Sequence, residues 1–403
     1  MIIITLIIIK PKTKGKTMKR TAISAVLALA LGSSLANAEA GSSLEEAFKN
    51  GQFEGHVAVY GQYQKNKDAD PKKVGFSSGS ASIGYETAPL HGVSLGLGAW
   101  GTTKFGEKND GYDETIESNA IFHKAYIKVA HEGMGEVVVG RQEVDLEWLT
   151  DYIEGAVGSV TPVENLSIVL GWANRQAVVD FDEVSERFEK MNASRGVYVL
   201  DVKYSPLEWL ELNPYVYYAP EALRAPGLKA TATLALGEDF TSSTMAQYVA
   251  ADVDSKIQDH EDGYVAQIEQ NLEFFGANAG VGYIKTDKKG GAGYGANVED
   301  GILASYGDQN PLEEGNWVYG LDAKTYYLKA GYEYEGFSFE ALYGETKYFS
   351  LADDKKLKEK ELDLSVGYGF IKNLNTELIY ARVKNDNRED SYNIVKALAK
   401  YSF

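Results

Sequence analysis

Apolar and polar residues alternate with a period of two along most of the chain, most regularly near its C-terminus. Leu362, Leu364 and Val366 interleave there with Glu361 and Asp363. A period of two places successive side chains on opposite faces of a β-strand. A Lys or Arg that faces hydrocarbon at the bilayer midplane costs about 2–4 kcal/mol. We therefore predict that the apolar faces meet lipid and that the charged faces line a wet interior.

The same alternation predicts eighteen strands, and a count of sixteen would also satisfy the pattern. Most are near the roughly 9–11 residues that a tilted strand needs to cross a membrane. The predicted fold class is all-β, a transmembrane antiparallel up-and-down β-barrel. The strands are predicted at 53–66, 74–88, 92–106, 119–132, 135–142, 152–162, 165–178, 195–205, 208–219, 226–236, 241–252, 262–273, 276–286, 325–335, 337–349, 360–371, 374–385 and 391–403.

The connections between the predicted strands alternate between short and long, as they do in barrels with tight periplasmic turns and long extracellular loops. The short connections include 89–91, 133–134, 163–164, 237–240, 336 and 373, and the long ones include 107–118, 179–194, 253–261 and 287–324. If both chain ends lie in the periplasm, every even-numbered strand ends there.

Aromatic residues cluster where the predicted strands meet the short turns. Rings at headgroup depth are typical of an interfacial aromatic girdle. The residues are Tyr332, Tyr334, Phe337, Phe339, Tyr368, Phe370, Tyr401 and Phe403.

The N-terminal region has the features of a targeting signal rather than those of a folded domain. Residues 18–38 combine a basic start, an apolar stretch and Ala36-Asn37-Ala38, which together indicate a secretory signal peptide. Residues 1–17 are then an extension upstream of the start at Met18, and 39–403 form the barrel domain. Ser43 to Gly51 should make a short helix before the first strand, with Leu44, Ala47 and Phe48 on one face.

Composition narrows the function further. Six of the 40 Lys and Arg and none of the 58 Asp and Glu lie in 1–38, so the mature chain carries a net charge near −24. Such a charge argues strongly against nucleic acid as a partner and favours cations, or divalent ions bridging the surface to anionic lipid. The chain has no Cys, so no disulfide framework holds it.

About eighteen strands make a barrel too wide to be filled by its own wall side chains, so a folded-in segment is expected to narrow it. The segment after strand 5, roughly Glu143 to Asp151, is the candidate. Fixed charges of opposite sign facing each other at a constriction select ions and orient dipolar solutes. Solvation of the same charges on loop and wall is the alternative. The candidate constriction residues are Arg141, Asp145, Glu147, Asp151, Lys128, Arg175 and Arg382.

Short motifs carry a resemblance to a known family. Ser43-Leu-Glu-Glu-Ala-Phe-Lys-Asn-Gly51, Val139-Gly-Arg-Gln-Glu-Val-Asp145, Tyr152-Ile-Glu-Gly-Ala156 and Tyr215-Val-Tyr-Tyr-Ala-Pro220 resemble the Opr-type (OprD-like) outer-membrane porins. The resemblance implies an eighteen-stranded passive channel with Arg141 in a basic track and an inward loop bearing Asp145. The loop is shorter than in the family, so the family's solute preferences are not transferred. An aromatic residue followed two positions later by a C-terminal Phe, here Tyr401 and Phe403, resembles the signal that barrel-assembly machinery reads.

The short matches to catalytic and nucleotide-binding motifs lack the structural context that such sites need. Gly96-Leu-Gly-Ala-Trp-Gly101 lies within an alternating strand without a following helix, which argues against a nucleotide site. The five His are scattered, so neither a catalytic nor a metal site is predicted. Acidic loop groups, Asp68 with Asp70 and Asp110 with Asp113 and Glu114, offer oxygen ligands for Ca²⁺, although such groups are more often simply solvated.

These observations predict a Gram-negative outer-membrane porin that passes small hydrophilic solutes and ions passively, without catalysis or a cofactor. Its expected partners are outer-membrane lipid, lipopolysaccharide and the barrel-assembly machinery, and a homotrimer is compatible with this class. The alternative is a structural or adhesive barrel whose long loops, chiefly Asp287 to Lys324, bind a surface partner while the lumen stays closed.

Overall fold

The computed structural model describes residues 41–237, 239–256, 261–293, 303, 307 and 309–403, apart from the side chain of Phe370. The predicted upstream extension and signal peptide lie outside this range. One helix, α1 (Leu44–Lys49), precedes eighteen barrel strands, and a two-residue strand, Glu189–Lys190, pairs with the seventh of them. Among the described residues, no helix is long and apolar enough to cross a membrane.

The barrel strands follow one another in chain order. They are β1 (Gln52–Asn66), β2 (Lys73–Glu86), β3 (Val93–Lys108), β4 (Ala120–His131), β5 (Gly135–Leu146), β6 (Leu149–Val163), β7 (Leu166–Ala177), β8 (Val197–Leu207), β9 (Leu210–Ala219), β10 (Leu223–Ala235), β11 (Phe240–Val253), β12 (Gly263–Phe274), β13 (Ala277–Thr286), β14 (Lys324–Tyr334), β15 (Phe337–Ser350), β16 (Lys355–Ile371), β17 (Leu374–Asn385) and β18 (Tyr392–Ser402).

Each strand pairs antiparallel with its neighbours, and β18 pairs with β1, with Val57 opposite Tyr401. The backbone of Phe403 extends this seam by exchanging two 3.0 Å hydrogen bonds with Gly55. The barrel is therefore closed, and the predicted antiparallel eighteen-strand fold is confirmed. Both ends of the barrel chain lie on one rim, which we call the short-turn rim. The opposite end is the long-loop rim.

The two faces of the wall differ as the alternation predicts. On β16, Leu364 is 43% exposed while Asp363 is 9% exposed. On β14, Tyr326 and Leu328 are likewise exposed, whereas Tyr327 between them is buried. Exposed Leu, Val, Ile and aromatic side chains therefore form an outer belt, and charged residues such as Glu361 and Asp363 face the interior.

The predicted aromatic clustering at the short-turn rim is confirmed for the side chains that the structure describes there. Phe337 stacks on Tyr368 with ring centroids 4.1 Å apart, and Phe339 is exposed beside them. Tyr401 and Phe403 are also exposed on the outer face of the closing seam.

The predicted loop over Glu143–Asp151 is wrong in its local structure, because β5 and β6 continue to a tight turn at Glu147 and Trp148. The alternation persists there with its phase reversed. Val137 and Val139 are exposed on the outer face of β5, whereas beyond Gly140 the apolar residues on this strand occupy the other face. The charged residues that interrupt the expected pattern gave the segment the appearance of a loop.

Helix α1 forms as predicted, although its contacts differ. The Ser43 hydroxyl accepts a hydrogen bond from the Glu46 backbone N–H, which caps the helix. Ala47 is buried, and its carbonyl accepts a hydrogen bond from Ala88 at 2.9 Å. Leu44 and Phe48 remain exposed, because so short a helix presents only one small residue to the β2–β3 turn.

Nitroxide labels at single introduced cysteines test which face of the barrel wall meets lipid, because the chain has no native Cys that would also be labelled. We expect a nitroxide at Leu364→Cys to relax with lipid-soluble oxygen, because Leu364 lies on the outer belt. A nitroxide at the matched position Asp363→Cys should relax with a water-soluble nickel chelate instead. Electron paramagnetic resonance on reconstituted protein measures both. Equal oxygen accessibility at the two sites would contradict the assignment of the faces.

Candidate functional site: the barrel lumen

A cavity of about 2190 Å³ occupies the lumen and is bordered by wall strands and by three inward segments. The first segment is the inner hairpin, residues 142–151. The second is the 178–196 loop, between β7 and β8. The third is the 287–323 loop, between β13 and β14, of which part is described. Their described residues fill part of the interior and border the cavity.

The inner hairpin leaves its neighbours and crosses the lumen. β4 pairs with β5 only as far as Arg141, and β7 pairs with β6 only as far as Tyr152, so the tip is paired only with itself. Gly140 has φ 128°, and a Cβ there would collide with the Ala125 carbonyl, so a glycine is required where the hairpin departs.

Trp148 anchors the tip of the inner hairpin on the far wall. Its side chain is 1% exposed, its indole N–H donates to Tyr215 and its backbone N–H donates to Tyr217, both at 3.1 Å. These tyrosines belong to β9, beyond the intervening strands β7 and β8. The apolar hairpin residues Val144, Leu146 and Leu149 join the same buried cluster, as does Ile153 just beyond the hairpin on β6.

Buried polar contacts of Glu147 stabilise the turn beside Trp148. The Glu147 carboxylate accepts hydrogen bonds from Lys229 on β10 at 2.6 Å and from Gln247 on β11 at 3.1 Å. Glu147 and Lys229 are both buried, so each removes much of the penalty of burying the other. With its even-numbered β5 residues on the wall, the hairpin presents Glu143 and Asp145 to the cavity.

The 287–323 loop is fixed to the opposite wall by carboxylates. The backbone N–H groups of Glu314 and Gly315 donate to Glu361 at 2.7 and 2.9 Å, and that of Glu313 donates to Asp363 at 3.1 Å. Lys396 on β18 forms ion pairs with Glu313 at 3.0 Å and with Glu314 at 2.8 Å. The loop therefore covers part of the acidic wall of β16.

The same loop also touches the inner hairpin. The rings of Tyr319 and Trp148 meet edge to face with centroids 5.6 Å apart. Nearer the long-loop rim, Trp317 stacks flat on Tyr348 of β15 at 4.2 Å. At the start of the loop, burial opposes ionisation of Asp287, but backbone N–H groups of Lys289 and Gly290 at 2.7 and 3.0 Å bring the pKa of that carboxyl below its usual value.

The described residues that border the cavity are strongly acidic in balance. Seventeen are Asp or Glu and seven are Lys, and no Arg is among them. The Lys residues are Lys124, Lys128, Lys190, Lys229, Lys329, Lys396 and Lys400. The acidic residues are Glu54, Glu86, Glu136, Glu143, Asp145, Asp151, Asp180, Asp182, Glu183, Glu189, Glu211, Glu269, Glu273, Glu313, Glu314, Glu340 and Asp363.

The seven residues predicted for the constriction do not form one group in the structure. Lys128, Asp145 and Asp151 border the cavity, with Lys128 ion-paired to Glu86. Glu147 instead holds the hairpin tip on the wall.

Two predicted basic residues, Arg141 and Arg175, share one carboxylate partner. They lie with Glu154 across β5, β6 and β7, on the face that carries Val139. Arg141 approaches Glu154 at 3.1 Å, Arg175 approaches it at 4.0 Å, and the Arg141 guanidinium lies 4.5 Å from the centroid of the Phe188 ring. The group fixes the bend of the inner hairpin against the 178–196 loop.

Arg382 is exposed on the outer face of β17, because Ala381 and Val383 beside it take the buried inner positions. The part that each of these residues plays in selectivity stays a prediction.

Sequence reasoning missed several lumen charges. Lys124 pairs with Glu54 at 2.5 Å and with Glu143 at 3.7 Å, which joins β4 to β1 and to the inner hairpin. Lys396 alternates with apolar neighbours on β18, a pattern that could have marked it. Glu313 and Glu314 lie in an irregular loop, where no periodicity shows which way a side chain points.

The acidic loop groups considered for Ca²⁺ have basic neighbours. Asp68 pairs with Arg388 at 2.6 Å, and Asp113 pairs with Lys104 at 3.0 Å. Within the part of the chain that the structure describes, no group of three or more His, Asp or Glu side chains is placed to hold a metal ion.

A closed barrel with an apolar belt outside and fixed charges inside defines a channel-type protein of the outer membrane. The family model of Gram-negative porins matches residues 24–388, and the chain belongs to that family. No curated protein sequence matches the chain.

Solved structures with the same fold include channels of the OprD-like group. Acinetobacter baumannii OccAB1 is 15% identical with a TM-score of 0.73, over 91% of this chain and 99% of that one. A. baumannii OccAB4 is 15% identical with a TM-score of 0.72, over 87% and 98%. Pseudomonas aeruginosa OpdK, in a structure with vanillate, is 13% identical with a TM-score of 0.71, over 87% and 98%. The likeness establishes the shared barrel.

Removal of the Trp148 anchor tests whether the inner hairpin narrows the lumen. We expect Trp148→Ala to raise single-channel conductance in planar bilayers, because losing a buried Trp costs about 3–5 kcal/mol and this Trp holds only the tip. The barrel seam lies elsewhere, so the folded barrel should persist on gels. The matched control is Trp209→Ala, which removes an exposed Trp from a short turn. Equal conductance of the two variants would contradict the anchoring role.

Proposed function

We propose that this porin is a passive diffusion channel for small hydrophilic solutes and that it favours cations. The observation that carries the proposal is the charged cavity inside the barrel, whose described lining has an acidic excess. Fixed charges of one sign in a cleft with low-dielectric walls raise the local concentration of the opposite ion. The apolar outer belt confines water and ions to this interior.

The inner hairpin, the 178–196 loop and the 287–323 loop act together as the constriction. Acidic groups come from the hairpin, from both loops and from wall strands, including Asp145, Glu313 and Glu269, while six of the seven lining Lys project from wall strands. Fixed charges of both signs along a passage orient dipolar solutes as they cross. The constriction therefore acts on solute charge and on solute size.

The type of basic residue supports a preference against carboxylate solutes. A guanidinium binds a carboxylate through two parallel hydrogen bonds, whereas an ammonium acts as a hydrated point charge. The basic groups among the described cavity-lining residues are all Lys, and Lys128, Lys229 and Lys396 are already ion-paired. The vanillate in the OpdK structure is thus no guide to the solute here.

The outer face supports insertion by the usual route for this class. The closing strand β18 presents Tyr401 on the lipid side, and Phe403 extends the seam. We infer that barrel-assembly machinery reads this strand and that lipid and lipopolysaccharide cover the belt above it.

The ion preference can be measured directly. We expect reversal potentials across a salt gradient in planar bilayers to show cation selectivity. Asp145→Asn should lower the cation-to-anion permeability ratio about twofold. One charge acting over 4 Å in bulk water is worth about 1 kcal/mol, and the effect is smaller here because an ion that crosses this wider passage lies farther from Asp145. Glu221→Gln, a change in a long-loop-rim turn away from the cavity, should leave the ratio unchanged. Anion preference in the parent protein would contradict the proposal.

Pore size gives a second measurement. Liposomes that contain the protein should swell in small sugars and progressively less as sugar size rises, because the three inward segments limit the passage. An absence of swelling together with an absence of conductance would favour the closed adhesive barrel.

A further inference from the structure

The tip of the 178–196 loop inserts a single aromatic ring into a cluster on the barrel wall. A bridge between Val179 and Val184, with the Asp180 N–H donating to the Glu183 carbonyl at 2.7 Å, forms a tight turn that carries Phe181. The connection between β3 and β4 fixes the base of this turn, because the Glu117 N–H donates to Val184 at 2.9 Å. The turn is therefore held at its base, and Phe181 projects from it.

The ring of Phe181 lies among other rings. Its centroid is 5.1 Å from that of His56 and 5.2 Å from that of Trp100, and the Lys400 ammonium lies 5.3 Å from it. His123 meets Trp100 edge to face with ring centroids 6.4 Å apart. Phe181 is only 6% exposed, so the cluster encloses a benzene ring.

Two polar atoms of this cluster are buried without a hydrogen-bond partner among the described residues. They are the Trp100 indole N–H and His56 Nε2. His56 uses its other nitrogen, Nδ1, with the Ser82 hydroxyl at 2.8 Å. Both rings are more than nine-tenths buried yet border the lumen cavity. Native structures rarely leave buried polar atoms unpartnered, and two in one cluster require a reason.

We propose that this cluster is a ring-binding subsite of the lumen and that Phe181 occupies it as an internal ligand. Its solute class is a small, uncharged aromatic ring that carries hydroxyl groups. The ring takes the place of Phe181 against Trp100 and His56, and the hydroxyls supply the hydrogen bonds that Phe181 cannot make.

The unpartnered atoms select this class. An indole N–H only donates, and a neutral imidazole nitrogen accepts or donates according to its tautomer, so a hydroxyl, which does both, suits each of them. Charges of both signs lie nearby, because the Lys400 ammonium is 5.3 Å from the Phe181 ring while Asp180 and Asp182 flank Phe181 on the loop tip. Charges of both signs favour an uncharged ligand over an ion.

The subsite rests on the proposed function, because a solute reaches it only through the lumen. The subsite selects solutes by their aromatic ring and hydroxyl groups, which the charges of the lumen do not do. Phe181 competes with the solute, so occupancy couples to displacement of the 178–196 loop tip, and a bound ring leaves the passage with a different shape.

Binding of resorcinol to the full purified chain in detergent tests the proposal by ligand-observed nuclear magnetic resonance. We expect Phe181→Ala to bind resorcinol about tenfold more tightly than the parent, because the solute no longer has to displace the Phe181 ring. Phe181→Leu, which keeps an apolar side chain of similar size, should bind with intermediate affinity and serves if the alanine variant does not fold.

Three controls make the result specific. Phe188→Ala empties a buried position of the same loop but leaves the subsite closed, so it should bind like the parent. Cyclohexane-1,3-diol carries the same hydroxyls on a saturated ring and should not bind. Adding Trp100→Phe to Phe181→Ala removes the indole N–H but keeps an aromatic ring, and it should reverse most of the gain.

Equal affinity of the parent, Phe181→Ala and Phe181→Leu, or equal binding of the saturated diol, would overturn the subsite. Conductance is measured on the same preparations. Resorcinol binding without conductance would refute the channel and leave the subsite standing, whereas conductance without binding would refute the subsite alone.

Discussion

The structure depends on closure of the hydrogen-bonded sheet. A backbone polar group that faces hydrocarbon has no water to pair with, so a spanning sheet must leave no free edge. The pairing of β1 with β18 meets this constraint, and the backbone of Phe403 extends it to the final residue. Once the edge is removed, the period of two makes every second side chain face lipid. The others are left with an interior that the wall cannot fill.

The interior is filled by segments that leave the wall, and each uses a different device. The inner hairpin keeps its own ladder and exchanges wall contacts for the Trp148 anchor. The 287–323 loop uses its backbone N–H groups against Glu361 and Asp363, which turns wall carboxylates into loop supports. The 178–196 loop uses an aromatic ring. In each case the segment buries polar groups of the wall that would otherwise face water.

The reversal at Gly140 shows how one strand serves two environments. Below it, Val137 and Val139 face lipid, and above it the same face carries Glu143 and Asp145 toward the cavity. Arg141 lies at the change, paired with Glu154 and covered by Phe188. A strand that bends from wall to lumen must exchange its apolar and polar faces at the bend, because its former outer face now meets water.

The sequence alone determined the barrel, because strand crossing is a local property. The alternation from Glu361 to Val366, the short turns and the aromatic residues at the short-turn rim depend only on which solvent lies on each side of a strand. It also indicated that Asp145 and Asp151 belong to a segment near the passage. The tertiary structure decided the lumen, because contacts between Trp148 and Tyr215, between Lys396 and Glu313, or between Phe181 and Trp100 join residues far apart in the chain. No periodicity records these pairs, since their partners are set by how far each segment reaches across the barrel.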